Sequence, residues 1–335
     1  MKIAIIGTGA NGSCVAADLA EAGMDITLID QWPDHVSRMR ENGLIIQMPN
    51  KKLHINVNAH NLCDVCTFKN KFDLIFIVVK AYDTQWICKL IEPYLADDGI
   101  AVGLQNGMTA QIIEDIFGED RNLAAVVELS SEIFIPGEVK RNTPPEKTWF
   151  GIGSLSNKTN NRIDEVLHIL SHSGKVTNND NILSAKWMKL IVNAMTMGPR
   201  SILGLKVIEA MECEGMRNLA LNLGQEALSI GQKLGYEPEP IFGLTSQDIQ
   251  GSNRLLELLL DKIIKDVGPH ARDAVLQDHL KGRHSEVDLI NGLIVEEGKK
   301  LGMDYSYNQK VVEITQKIKD GIIKPKPENI GELIS

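Results

Sequence analysis

Three glycines near the start of the chain, Gly7, Gly9 and Gly12, have the spacing G-x-G-x-x-G. The pattern suits an anionic ligand. The first glycine allows a tight turn, the second lets backbone approach a pyrophosphate, and the third lets a helix pack on the preceding strand. Thr8, Ala10 and Asn11 complete the turn. Free N–H groups and the partial positive charge at a helix start would hold the phosphates. Asp30 closes the next apolar run, Ile26 to Ile29. A carboxylate there accepts hydrogen bonds from the ribose of NAD and repels the 2′-phosphate of NADP. Glycine-rich turns are common, so the motif alone is weak. The strand before it, the helix after it and the acid beyond supply the confirming context. The bland alternative is an ordinary βα turn of another α/β protein.

Other polar residues stand where chemistry can use them. Lys80 follows the apolar run Leu74 to Val79, and Asn106 follows Ile100 to Leu104. Lys189, Asn193 and Met197 fall at i, i+4 and i+8, so they share one helical face. A lysine and an amide on one face would suit a polar substrate, although spacing alone equally describes a solvated lysine. Lys186 lies less than a right angle off that face and is a rival. The run Asp278 to Asp288 is densely polar. Read as helix, it puts Glu286 on the side of Arg283 and Ile290. His279 and His284 lack an i, i+4 ligand spacing, and no metal site is expected. Cys63 and Cys66 form C-x-x-C without the second half of a zinc site, and read as plain thiols in a peripheral turn.

These groups need a scaffold that brings strand ends together. Residues 1 to about 150 alternate strands and helices, the pattern of a parallel sheet. Ligands on such sheets bind outside the carboxyl ends of strands. The glycine turn, Lys80 and Asn106 therefore share one edge. Leu123 to Glu128, Glu132 to Ile135 and Thr148 to Ile152 read as later strands of the same sheet, partly antiparallel. Arg162 to Ser171 reads as helix and Lys175 to Val176 as strand. The domain boundary is expected near Asn181, giving a dinucleotide-binding domain at 1–180 and a helical substrate and dimerisation domain at 181–335. Helices are predicted at about 184–197, 207–235, 246–266, 271–302 and 307–319. Lys324 to Pro327 reads as an extended surface segment.

Composition narrows the classes. With 335 residues, the chain fits two domains. Hydrophobic residues make up 43% and charged residues 24%, as in a soluble globular protein. The net charge of -9 argues against nucleic acid. No apolar run approaches the ~18 residues of a membrane span. The first strand leaves no room for a signal peptide. Five scattered cysteines suit reduced thiols in the cytoplasm.

Taken in order, the blocks Gly7-x-Gly9-x-x-Gly12, Val79-Lys80-Ala81, Gln105-Asn106-Gly107-Met108, Lys186-Trp-x-Lys189-Leu-x-x-Asn193 and Arg283-x-x-Glu286-x-Asp288-x-x-Asn291-Gly292 resemble the ketopantoate reductase (2-dehydropantoate 2-reductase) family. The likeness spans nearly the whole chain. It implies an α/β architecture, a Rossmann-like N-terminal domain followed by an all-helical one, with the active site in a cleft between them. It implies NAD(P)H-dependent reduction of a 2-keto acid, 2-dehydropantoate to pantoate, a step of pantothenate biosynthesis. Lys189 would be the general acid and Glu286 its substrate-orienting partner. Asn106 would lie near nicotinamide and substrate, Lys80 by the cofactor, and Asn193 against substrate. Where the family often has asparagine this chain has Met197, and where it usually has serine this chain has Ala274. Both changes make the pocket more apolar. Asp30-Gln31 stands where well-known members carry a basic residue, which favours NAD over NADP. The alternatives are an NAD-dependent D-2-hydroxyacid dehydrogenase for branched or aromatic 2-keto acids, a non-enzymatic nucleotide sensor, and an opine- or 6-phosphogluconate-type dehydrogenase. A homodimer fits the family pattern.

Overall fold

The computed structural model describes residues 1–249, 254–268 and 270–334. The chain forms two compact units, Met1–Leu183 and Ser184–Ser335. The first contains β1 (Lys2–Ile6), α1 (Ala10–Glu21), β2 (Asp25–Asp30), α2 (Pro33–Asn42), β3 (Leu44–Gln47), β4 (Lys52–Ile55), β5 (Asn58–Asn61), β6 (Phe72–Ile77), α3 (Thr84–Ile91), β7 (Leu95–Gly103), α4 (Ala110–Phe117), β8 (Asn122–Glu128), β9 (Ser131–Ile135), β10 (Glu138–Arg141), β11 (Trp149–Gly153), α5 (Ile163–Leu170) and β12 (Lys175–Asn178).

The main sheet runs β12-β11-β8-β7-β6-β1-β2-β5. Every neighbouring pair is parallel except β8 with β11. Strand order reverses at β1, which pairs β2 on one side and β6 on the other. The carboxyl ends of β2, β1, β6 and β7 thus open along one edge at a topological switch point. Apolar runs such as Ile3 to Ile6 and Leu74 to Ile77 are buried throughout, because helices cover both faces of the parallel sheet.

One expected strand belongs elsewhere. The sequence places Glu132 to Ile135 in the main sheet, but β9 pairs with β10 in a second sheet ordered β4-β3-β10-β9. An ion pair holds that sheet on α1. Arg141 on β10 is 1% exposed and donates to Asp18 Oδ2 at 2.6 Å. Its remaining N–H groups reach Thr143 O, Thr148 Oγ1 and Ser173 O. A buried guanidinium needs this full set of acceptors, which only the position over α1 provides.

The turn after β1 has little freedom. Gly7 has φ +91°, and a Cβ on Gly12 would fall 2.2 Å from Gly7 O. Ser13 Oγ donates to Thr8 O at 2.6 Å. His35 on α2, fully buried, also reaches Thr8 O through Nε2 at 2.8 Å. Its Nδ1 accepts from the Gly137 N–H at 2.8 Å. One ring nitrogen must donate and the other must accept, so His35 is the neutral Nε2–H tautomer. It ties the glycine turn to the β9–β10 hairpin.

The second unit is helical: α6 (Ile182–Leu203, beginning just before the unit boundary), α7 (Val207–Met211), α8 (Met216–Lys233), α9 (Ser246–Ile249), α10 (Leu255–Val267), α11 (Ala274–Leu280), α12 (Val287–Leu301), α13 (Ser306–Lys319) and α14 (Ile330–Ile334). The predicted 184–197 helix continues to Leu203 through Pro199. Beyond the proline, side chains back-bond the helix: Arg200 Nε donates to Thr196 O and Ser201 Oγ to Met197 O. The predicted 207–235 helix is two, separated at Gly215 with φ +84°. The predicted 271–302 helix also divides, because Gly282 at φ +63° ends α11. The predicted 246–266 helix is seen as α9 and α10, with 250–253 outside the described residues. Lys324, Lys326 and Pro327 are exposed, yet the segment is clasped: Lys326 N–H donates to Ile202 O, and buried Asn329 donates to Ile202 O and Lys324 O.

Trp187 seats α6 on α8. Its indole N–H donates to Ala227 O at 3.0 Å and its ring stacks on Tyr236 at 4.8 Å. A Cβ on Gly231 would lie 1.9 Å from Trp187 Nε1. Gly231→Ala should therefore cost about 1–3 kcal/mol by overpacking, read as a lower urea midpoint. His35 yields a pH prediction. Burial holds its pKa below the ordinary value, while burial raises the carboxyl of neighbouring Asp30 in the opposite sense. The unfolded chain takes the imidazole proton first, so the neutral ring's contribution is complete above about pH 6.5 and lost as pH falls below it. His35→Gln should flatten the acid-side loss of unfolding free energy between about pH 7 and pH 5 relative to wild type. An unchanged slope in chemical denaturation would show that His35 is not the titrating group.

Candidate active site

The glycine turn lies at the carboxyl end of β1, between β2 and β6. Gly7 N–H donates to Ile29 O and Val78 N–H to Ile6 O, so the ladder continues into the turn. Gly9 caps α1, and a Cβ there would meet nothing within 4 Å. The first turn of α1 carries no acidic side chain. An open approach to a helix start without negative charge fits a pyrophosphate. Ala10 opens α1, and Asn11 Oδ1 accepts from Ser131 Oγ at 2.6 Å, anchoring the turn to β9.

Asp30 ends β2 beside this turn, 7% exposed. Its Oδ1 accepts from Trp32 N–H at 2.8 Å and its Oδ2 from Thr8 Oγ1 at 3.3 Å. Burial raises its pKa, while the Trp32 N–H, His35 and Thr8 act against that. Two carboxylate oxygens offer about four acceptor sites, which leaves room for a ribose hydroxyl.

Lys80 and Asn106 follow adjacent parallel strands. Ile77 on β6 pairs with Gly103 on β7, and Leu104 N–H donates to Ile77 O. Gln105 couples the two loops: its Nε2 donates to Val79 O at 2.7 Å and Thr84 Oγ1 at 2.9 Å. Both Lys80 and Asn106 are half-buried. Gly7 touches the same loop, since a Cβ on it would fall 2.6 Å from Val79 N. The first unit thus collects the glycine turn, Asp30, Lys80 and Asn106 on four neighbouring strand ends.

In the second unit, Lys189, Asn193 and Met197 ride one face of α6. Lys189 is half-buried, and its ammonium sits 4.7 Å from the centre of the Phe242 ring. Asn193 is 3% exposed and Met197 7%. Lys186 is buried, and burial brings its pKa down to about 8. Ala274 starts α11 next to Asp273, whose Oδ1 accepts from Ser201 Oγ at 2.8 Å, one turn beyond Met197 on α6. Both departures from the family pattern thus adjoin the same stretch of α6.

Glu286 is not inside a helix with Arg283 as the sequence suggested. It is the N-cap of α12, 4% exposed, while Arg283 is exposed in the preceding loop. Gly282 breaks the helix before either residue. Asn291, farther along α12, donates to Ala194 O on α6 at 3.2 Å, so the helix that Glu286 begins is fixed to the helix of Lys189. Phe242 escaped sequence reading altogether. It has φ +61°, unusual for a bulky residue, and only the following Gly243 hinted at a turn.

Cys63 and Cys66 sit in a short turn, with the Cys66 thiol donating to Cys63 O. Among the described residues no cluster of His, Cys, Asp or Glu is arranged to hold a metal, and no helix is long and apolar enough to cross a membrane.

Known proteins match this architecture end to end. The family model for ketopantoate reductase PanE/ApbA matches residues 3–154, and that for its C-terminal part matches 181–319. A 2-dehydropantoate 2-reductase of Pyrococcus horikoshii is 27% identical over 92% of this chain and 94% of its own. One from Archaeoglobus fulgidus is 22% identical over 96% and 99%. Among solved structures, a PanE/ApbA family ketopantoate reductase from Ralstonia eutropha superimposes with TM-score 0.79 at 26% identity, covering 96% of this chain and 99% of that one. A D-mandelate dehydrogenase solved with NADH and anilino(oxo)acetate shares the fold, with TM-score 0.84 at 23% identity over 96% and 99%. With both halves matched and the blocks in order, the chain belongs to the ketopantoate reductase family.

Proposed function

We propose that the chain is an oxidoreductase that reduces a 2-keto acid to the 2-hydroxy acid with NAD(P)H, 2-dehydropantoate to pantoate being the reaction its relatives' names point to. The observation that carries this reading is the family match over both units, with Lys189 half-buried on α6 and Glu286 buried at the head of α12. Gly7, Thr8, Gly9, Ala10, Asn11 and Gly12 hold the pyrophosphate, Asp30 the ribose, and Lys80 and Asn106 the nicotinamide end. When bound, the dinucleotide supplies the hydride. Lys189 Nζ gives its proton to the keto oxygen and stabilises the negative charge that grows there. Glu286 accepts from the substrate hydroxyl and orients it toward the lysine. Asn193 and Asn106 hold the substrate's polar groups.

Asp30 supports NADH as the preferred form. Its carboxylate and a 2′-phosphate about 4 Å apart repel by roughly 4 kcal/mol at an effective dielectric of ~20. Comparing kcat/KM for NADH and NADPH tests this; a clear NADPH preference refutes it.

Lys189→Ala should lower kcat/KM by ~10²–10⁴-fold while dinucleotide binding stays near wild type. Glu286→Ala should act mainly on productive substrate binding. Lys186→Ala is the control, since Lys186 is the competing proton donor. Abolished turnover in Lys186→Ala with Lys189→Ala intact would reassign the acid.

A second substrate reading, toward branched or aromatic 2-keto acids, is favoured by Met197 and Ala274. Both replace polar family residues with apolar ones, Met197 on α6 and Ala274 at the start of α11 beside it. A panel of 2-keto acids with each dinucleotide decides between the two. Tight NADH binding without turnover on any member would instead favour a nucleotide sensor.

A further inference from the structure

We infer that Phe242 is a positioning residue of the reductase site: its ring face holds the Lys189 ammonium in the attitude from which the proton is given. The inference rests on the proposed role of Lys189. Its starting point is backbone geometry. Phe242 and Gly243 have φ of +61° and +72°, and Leu244 N–H donates to Ile241 O at 3.1 Å. Two positive φ values inside an i to i+3 hydrogen bond are the type I′ pattern, whose first central position favours Asn, Asp or Gly. A phenylalanine there brings its Cβ against the following carbonyl oxygen. Such a conformation persists only where the surroundings impose it, and these outliers concentrate at functional sites.

The surroundings identify what the bend achieves. Ile241 is fully buried and Phe242 is 3% exposed, so the turn is packed inward. Burial alone would be served by any apolar side chain. It does not require a flat ring with an ammonium 4.7 Å above its centre. That distance is within the range of a cation–π contact, which grows stronger as water is excluded. A lysine stem has four rotatable carbons and readily samples other directions. The ring face removes that freedom on one side. A ring face also favours a charged ammonium over a neutral amine, whereas burial alone lowers the pKa of Lys186 on the same helix to about 8. Asn193 on α6 and Glu286 on α12 act on the substrate; Phe242 acts on the lysine.

The test uses Phe242→Leu, which keeps apolar bulk without the ring, and Phe242→Tyr, which keeps the ring. Phe242→Leu should lower kcat by about 3- to 30-fold, the range expected for a partly desolvated cation–π contact. KM for the dinucleotide should stay near wild type. Phe242→Tyr should restore most of kcat, a rescue that a purely space-filling role would not require. A second arm reads the contact without turnover. After reductive 13C-methylation, the Lys189 methyl resonance, assigned with Lys189→Arg, should be displaced upfield by the ring current in wild type and in Phe242→Tyr. It should return to the ordinary lysine position in Phe242→Leu. An undisplaced wild-type resonance, or wild-type kcat in Phe242→Leu, overturns the inference. A displaced resonance in a protein that reduces no 2-keto acid retires the reductase reading while the ring–ammonium pairing stands.

Discussion

Close approach to a backbone is possible only where no side chain intervenes, and both units are organised around such approaches. In the first, Gly12 presses on the carbonyl of Gly7, with room for nothing larger than hydrogen. That contact sets the angle at which α1 leaves β1, and so where the amides of the helix start point. In the second, Gly231 lies under the Trp187 indole and Gly198 lies beside the Asn291 amide and Val311. These approaches bring α8, α12 and α13 up to α6. A methyl group at any of the three would push a helix away from the residue whose direction it fixes. Packing this dense transmits small displacements rather than absorbing them.

Polar groups complete what the glycines allow. Asn291 and Asn308 are fully buried, and Asn291 Nδ2 donates both to Ala194 O and to Asn308 Oδ1. Asn308 passes the chain on to Glu226, whose carboxylate also accepts the N–H groups of Tyr307 and Asn308 at the start of α13. A negative charge there complements the helix dipole. Four helices share this chain of hydrogen bonds, α6, α8, α12 and α13. These bonds favour one arrangement of the four helices; with one member removed, its partners would be left buried and unpaired. The Asn291 of the sequence block is therefore a structural member, fixing the helix that Glu286 begins.

What the sequence revealed was what is local. The glycine turn, the apolar strands and the i, i+4 face of α6 are each set by residues within one or two turns, and they are found where expected. The second sheet was opaque because its strands are short and partly polar, as in Glu138–Arg141, and because its anchor joins Arg141 to Asp18 across 123 residues. The division of the 271–302 helix was opaque for a different reason. Apolar spacing continues across it, and Gly282 reads as a tolerated helix glycine until its left-handed backbone is seen. Phe242 was the hardest, since an aromatic residue is the last type expected at a positive φ. The family blocks named Glu286, while its place at a helix head rather than within one needed the structure.

The clasp on the end of α6 bears on how this protein is made. Ile202 O, at the carboxyl end of that helix, receives its hydrogen bonds from Lys326 and Asn329, the latter 127 residues downstream. During synthesis the helix that carries Lys189 leaves the ribosome before that segment. Its last turn lacks those two hydrogen bonds until the clasping segment has left the ribosome. The first unit closes on itself from sequence already translated, whereas the second remains provisional over that interval.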